Sequence, residues 1–165
     1  MDHLLHTITI GVTATAAMDV WGVARRPLFG FARPDYALVG RWFAHMPRGR
    51  FRHESIAAAR PVYGERLIGW TAHYAIGLSF AALLIGLGGD AWLQHPTIGP
   101  ALLVGVGTVA APLLLMQPGM GAGVAASRTP NPAAARLQSL ISHTIFGLGL
   151  YLGGWASYLL SSLAR

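Results

Sequence analysis

The sequence predicts an all-α polytopic membrane protein with four transmembrane helices arranged as two hairpin repeats. Three observations carry this. Of 165 residues, 53% are hydrophobic and only 11% charged, against about 25% charged in an average soluble domain. All twelve basic residues are arginines, and nine of them lie between Arg25 and Arg66. Four stretches reach the roughly 20 apolar residues that a spanning helix needs.

The first span is expected over 4–23, interrupted by His6 and Asp19. Ala14, Thr15 and Ala16 resemble a signal-peptidase site. The segment before them carries Asp2 and no basic residue, whereas a secretory signal begins with positive charge. Arg25 and Arg26 follow instead, which suits a retained span entering the cytoplasm. The second span is expected over 67–87, with His73 its only ionisable group besides tyrosine. The third covers 98–117 and contains Pro112, with Pro118 ending it. The fourth covers 137–160 around His143. The whole chain, 1–165, reads as one transmembrane domain.

Orientation follows from the arginines. The loop 24–66 holds nine, and the loop after the third span holds Arg128 and Arg136. The segment between the second and third spans holds none. The positive-inside rule then puts both arginine loops in the cytoplasm of a bacterial inner membrane and both termini in the periplasm. Trp92 and Trp155 fall toward the outer interface, and Trp21, Trp42 and Trp70 toward the inner one. In the long first loop, Pro34-Asp35 reads as a helix start with Asp35 as N-cap. Tyr36–Met46 then suits a short helix in the headgroup layer, and Ser55–Arg60 adds a further turn. A pI near 10.8 would suggest nucleic acid in a soluble protein. One basic inter-helix loop satisfies membrane topology instead, so no nucleic-acid partner is expected. The expected partners are the bilayer and either a second copy or a larger membrane complex. The absence of cysteine excludes disulfides, iron–sulfur clusters and thiolate zinc sites.

An internal repeat is visible. Arg66–Leu78 reads RLIGWTAHYAIGL and Arg136–Leu148 reads RLQSLISHTIFGL. Arginine, leucine, histidine and glycine recur in register. Gly11 and Val12 of the first span match Gly105 and Val106 of the third more weakly. This is the parallel-repeat plan of some transporters.

Asp19, His73 and His143 each lie six residues from a cytoplasmic helix end, about 9 Å deep at 1.5 Å per residue. Gln117 and Met116 close the third span on the same side. An aspartate at the bilayer centre is disfavoured by about 2.5–3.5 kcal/mol, so such groups face the bundle interior and pair. Each sits on a stripe of small residues: Gly11–Thr15–Asp19, Gly69–His73–Gly77 and Ser139–His143–Gly147. Small residues at i and i+4 let helices approach closely. The candidate site is therefore Asp19, His73, His143 and Gln117, and it suits binding or transport of a small solute or ion. The plainer alternative is that each histidine bonds a carbonyl or hydroxyl across a helix contact.

Two other functions stay open. His73 and His143, with Met116, are ligand types for haem or a transition metal, with glycines making room for a macrocycle. The chain also fits a non-catalytic accessory subunit of a membrane complex. His45, His53 and Glu54 are further ligand types in the cytoplasmic loop. The run MQPGMGAG, Met116–Gly123, reads most simply as a flexible loop. No nucleophile elbow, Walker loop or dinucleotide fingerprint follows a strand, so nothing points to a soluble-type enzyme.

Four strings together resemble a known family: ATAAMDVWG (Ala14–Gly22), VGRWFAHMPRGRFRH (Val39–His53), GERLIGWTAHYAIG (Gly64–Gly77) and MQPGMGAGVAASRTPNP (Met116–Pro132). They are similar to an uncharacterised bacterial inner-membrane family, domain of unknown function 2938, over nearly the whole chain. The resemblance implies a small multi-span membrane protein and transfers no catalytic residue.

Overall fold

The computed structural model describes residues 3–31 and 33–163. It is all-helical, with no strand among the described residues. In chain order the helices are α1 (His3–Phe29), α2 (Tyr36–His45), α3 (Glu65–Gln94), α4 (Ile98–Gly107), α5 (Gln117–Met120) and α6 (Pro132–Leu163). Three helical runs are long and apolar enough to cross a membrane: His3–Phe29, Glu65–Gln94 and Ile98–Met120. These contain the first three expected spans. α6, at 32 residues, is the longest helix.

Helix ends follow local chemistry. Asp35 caps α2 as expected, its carboxylate accepting from the Ala37 N–H at 3.0 Å. Asn131 caps α6, accepting from Ala134, and Pro132 takes the first helical position, where a missing N–H is harmless. α3 breaks at Gly89, whose φ of +59° is open to glycine and closed to most side chains. Pro112 removes the N–H that would bond Thr108. The chain there widens into a π turn over Pro112–Met116, closed by the Gln117 N–H on the Pro112 carbonyl. Pro118 does not end the third helical run, because it sits in the first turn of α5. The run ends at Gly121, with φ +97°. The Gly121 N–H bonds the Pro118 carbonyl and that of Ala122 bonds Gln117, the paired pattern of a glycine-terminated helix. Ser55–Arg60 forms turns rather than a helix.

The chain divides into two compact units. The first comprises Met1–Arg33, Tyr74–Thr108 and Ile141–Arg165. Its core is Ile10, Ala14, Ala81, Leu84, Ile85, Trp92, Leu93, Ala101, Val104, Phe146 and Leu150. Helix contacts within it run through glycine. A β-carbon at Gly11 would stand 2.9 Å from the Leu78 Cα, and one at Gly77 would strike the Thr15 hydroxyl. At Gly105 it would strike the Gly147 backbone, and at Gly149 it would lie 2.6 Å from the Ala14 Cα. Gly153 meets Ile10 in the same way. Large apolar side chains such as Val20, Leu87, Leu103 and Leu152 stand exposed instead. Small residues inward and large ones outward is the arrangement of helices packed in lipid. Trp92, near the end of α3, is 4% exposed, lies against Gly154, and donates its indole N–H to the Thr97 carbonyl.

The second unit comprises Pro34–His73 and Val109–Leu140. α2 lies directly on the start of α3. A β-carbon at Gly40 would strike the Glu65 carbonyl, and one at Gly69 the Tyr36 carbonyl. The Met116–Gly123 run is not a free loop. The His53 and Ile56 N–H groups bond the Gly119 and Met120 carbonyls at 2.9 and 3.0 Å. Gly119 lies under the Trp42 indole, and Gly121 against the Glu54 carbonyl. Two of the four family-like strings are thus packed on one another.

Candidate functional site

Asp19 meets α3. Gly77 contacts Thr15, whose hydroxyl turns back to the Gly11 carbonyl at 2.7 Å. One helical turn along this stripe, Tyr74 donates its hydroxyl to the Asp19 carboxylate at 3.0 Å. Both residues are half-buried. The Gly11–Thr15–Asp19 stripe therefore does face another helix, and one partner presented to Asp19 is a tyrosine.

His143 is buried on α6. Its Nδ1 lies 3.1 Å from the Gly105 carbonyl and 3.2 Å from Thr108 Oγ1. The Thr108 hydroxyl also donates to Gly105, at 2.8 Å. Gly105 and Gly147 do not make room for a macrocycle, because each is filled by the opposing helix backbone.

His73 belongs to the second unit. Its Nε2 is hydrogen-bonded to the Tyr36 hydroxyl at 3.0 Å. The two rings stack with centroids 4.3 Å apart, and Trp70 stands edge-on to His73. Gln117 donates its amide to Ser139 at 3.3 Å, while its buried Oε1 lacks a hydrogen-bond partner among the described residues. Met116 is the last residue of the π turn. Asp19 and His143 thus share one unit and engage different partners. His73, Gln117 and Met116 share the other, where His73 and Gln117 also bond separate groups. Among the described residues there is no group of three or more His, Cys, Asp or Glu placed to hold a metal ion.

Three further polar arrangements were not singled out by spacing. His6, on the α1 stripe continued by Ile10 and Ala14, bonds Ser157 through Nδ1 at 2.7 Å. Ile10 and Ala14 face Gly153 and Gly149, so the His6–Ser157 bond is the next rung of one α1–α6 contact. The four-residue spacing of His6, Ile10 and Ala14 was the available signal.

The second is Arg41. It is 8% exposed and grips Glu65 with two parallel bonds, Nε to Oε2 at 2.9 Å and Nη2 to Oε1 at 2.8 Å. Its Nη1 reaches the carbonyls of Ile56, Ala57 and Ala59 at 3.1–3.2 Å. Such a fork holds a loop's shape as well as neutralising its own charge. The loop folds over Arg41.

The third is His45 with His53. Their facing ring nitrogens, Nδ1 and Nε2, are 2.9 Å apart, with rings stacked at 5.1 Å. His53 Nδ1 lies 3.4 Å from the Gly119 carbonyl. Burial, above all, pushes His45 below the usual histidine range, helped by repulsion from His53, Arg50 and Arg48 and opposed by the nearby Arg60 backbone.

No curated protein and no solved structure matches the chain. A family profile described as Protein of unknown function (DUF2938) matches residues 8–157. That range takes in every helix contact and polar pair described above except the outermost α1 contact, at His6. By this match the chain belongs to the DUF2938 family.

Proposed function

We propose that the chain is a four-span inner-membrane protein that binds a proton or small monovalent cation at Asp19 and Tyr74 and moves it, or a solute coupled to it, across the bilayer. The carrying observation is the 3.0 Å bond between the Tyr74 hydroxyl and the Asp19 carboxylate. A carboxylate inside a span is disfavoured unless it works or is paired, and such groups mark ion and proton paths. A tyrosine hydroxyl is a partner that yields to a cation or passes a proton on. His143 is a further group in the same unit able to accept a proton.

α6 is the fourth span in this reading. Its 32 residues extend about 48 Å at 1.5 Å each, longer than the bilayer core of about 30 Å. The arginine distribution puts both termini in the periplasm. The hairpin repeat is supported by matched contacts. Gly11 packs on Leu78 beside Gly77, and the corresponding Gly105 packs on Gly147. A second copy completes the path, since four helices are too few to enclose one.

The test is flux into proteoliposomes carrying a pH-sensitive dye, driven by an imposed potential, with Na⁺ and K⁺ followed in parallel. Wild type is expected to exceed empty liposomes, with Asp19→Asn at least about tenfold slower and Tyr74→Phe intermediate. Asp19→Asn flux equal to wild type, or no flux of any of the three ions, overturns the reading.

A further inference from the structure

We propose that Arg48, Arg50, Arg52 and Arg128 form one binding surface for the phosphate of an anionic phospholipid headgroup. They are carried on chain that is already folded, and a preformed surface gives up less freedom on binding than a slack one. After α2 the chain turns at Gly49, whose φ is +74°, and doubles back along the helix. The Arg50 N–H bonds the His45 carbonyl at 3.2 Å. The Trp42 indole N–H bonds the Phe51 carbonyl at 2.7 Å, and the Phe51 ring packs edge-on to Trp42. His53 stacks on His45. Phe51 and His53 are thus engaged with α2, while Arg48, Arg50 and Arg52 stand exposed. Arg128 comes from the other segment of the unit. Gly121 lies against the His53 and Glu54 carbonyls, and the Arg128 N–H bonds the neighbouring Ala122 carbonyl at 2.8 Å. Arg128 is exposed as well. None of the four makes an ion pair among the described residues.

The unit cannot balance this charge itself. It holds eight arginines against three acidic side chains. Glu65 is committed to Arg41 and Asp35 to the start of α2, which leaves Glu54 to face the surplus. A second copy of the chain, with six acidic residues in all, brings no acidic patch to cover it. The surface is also fixed in depth. α2 packs on the first turns of α3 through Gly40 and Gly69. The His53 and Ile56 N–H groups bond the carbonyls of Gly119 and Met120, at the end of the Ile98–Met120 run. A loop tied to the ends of two membrane-crossing runs stands at the level of the lipid phosphates. There a guanidinium fork binds phosphate oxygens two at a time, and clustered arginines beside a span favour anionic lipid. Phe51, 43% exposed, suits the apolar edge of the same layer. A zwitterionic headgroup would set its own cation against the arginines. The inference needs those two runs to cross the bilayer and is independent of ion movement at Asp19.

The experiment is native mass spectrometry of the full chain in a neutral detergent, titrated with phosphatidylglycerol or with phosphatidylcholine. Wild type is expected to bind phosphatidylglycerol at least about tenfold more tightly. Arg50→Gln/Arg52→Gln should weaken that binding by about fivefold for each arginine removed, the attraction of one basic side chain at an anionic surface. Arg26→Gln/Arg33→Gln removes the same charge from the first unit and should leave it nearly unchanged. Equal binding of the two lipids by wild type overturns the proposal, and this comparison needs no variant to fold. A loss in the Arg50/Arg52 variant no larger than in the Arg26/Arg33 variant overturns it too, since diffuse charge would then suffice. So does displacement of the lipid, at the same salt, by a single-stranded RNA of matched phosphate number, which would make the surface a nucleic-acid site.

Discussion

Gly105 and Gly147 meet backbone to backbone, so that a β-carbon on Gly105 would fall against the Gly147 Cα and amide. In lipid, helices gain nothing from hiding apolar surface from one another, and close backbone approach is a main source of association. Gly105→Ala is therefore expected to force α4 and α6 apart and to destabilise by about 1–3 kcal/mol, the usual penalty of overpacking. Gly86→Ala is the matched control. It lies inside α3 with nothing within 4 Å of a β-carbon, and removing glycine from an open helical position stabilises by about 0.5–1 kcal/mol. Unfolding in detergent, followed by circular dichroism, should move the two variants in opposite directions.

Arg41 is expected to be the least replaceable side chain of the second unit. Its guanidinium spends Nε and Nη2 on Glu65 and Nη1 on three carbonyls. Removing one partner of a buried pair leaves the other charged and unpaired, at about 3–5 kcal/mol. Arg41→Ala and Glu65→Ala should both fall in this range. Arg41→Lys should recover little, because an ammonium cannot reproduce the planar fork. A double-mutant cycle of Arg41→Ala with Glu65→Ala, read from unfolding midpoints, should show strong non-additivity.

The elements that build these contacts were legible to different degrees. Long apolar runs and clustered arginines locate α1, α3 and the Ile98–Met120 run from composition alone, because membrane insertion itself reads composition. The stripe Gly11–Thr15–Asp19 was legible as a contact face for the same reason: a four-residue spacing of small residues fixes a face. It could not name the partner, since Tyr74 comes from another helix whose register is set by packing. Arg41 was illegible. A basic residue in a basic loop looks solvated, and only the fold brings the carbonyls of 56, 57 and 59 to it. Met116–Gly123 was misread as slack because glycines at 119 and 121 suit a flexible loop and a close backbone contact equally well.

Acid should weaken the protein through His45. Burial first, then repulsion from His53, Arg50 and Arg48, lowers its proton affinity in the folded chain. The unfolded chain, with an ordinary histidine pKa near 6.5, then binds protons that the folded chain refuses. The stability attached to this group is thus complete above about pH 6.5 and is lost as pH falls below it, by at most about 1.4 kcal/mol per pH unit for one proton. Thermal midpoints in detergent between pH 7.5 and 5 should show this decline. His53→Asn should flatten it, because the repulsion from His53 disappears while burial remains.

The number of spans has a parity that one fusion reads. Three helical runs are apolar enough to cross a membrane, and with three crossings the termini would lie on opposite sides. If α6 crosses as well, they lie on the same side. α6 differs from the other three in composition: its middle carries Gly147, Gly149, Gly153, Gly154, Ser157 and Ser161, all buried, so its polarity is turned inward. Leu148, Leu152, Leu159 and Leu160 are exposed. A helix that hides its small and polar residues and shows leucine outward is suited to lipid despite a modest average hydropathy. Reporters of periplasmic and cytoplasmic location, fused in parallel after Arg165 and within the loop near Arg50, should score periplasmic for the first and cytoplasmic for the second. A cytoplasmic score after Arg165, with the Arg50 fusion also cytoplasmic, would place α6 outside the bilayer and remove the four-span arrangement. The same score with a periplasmic Arg50 fusion would invert the chain and overturn the positive-inside assignment while keeping four spans.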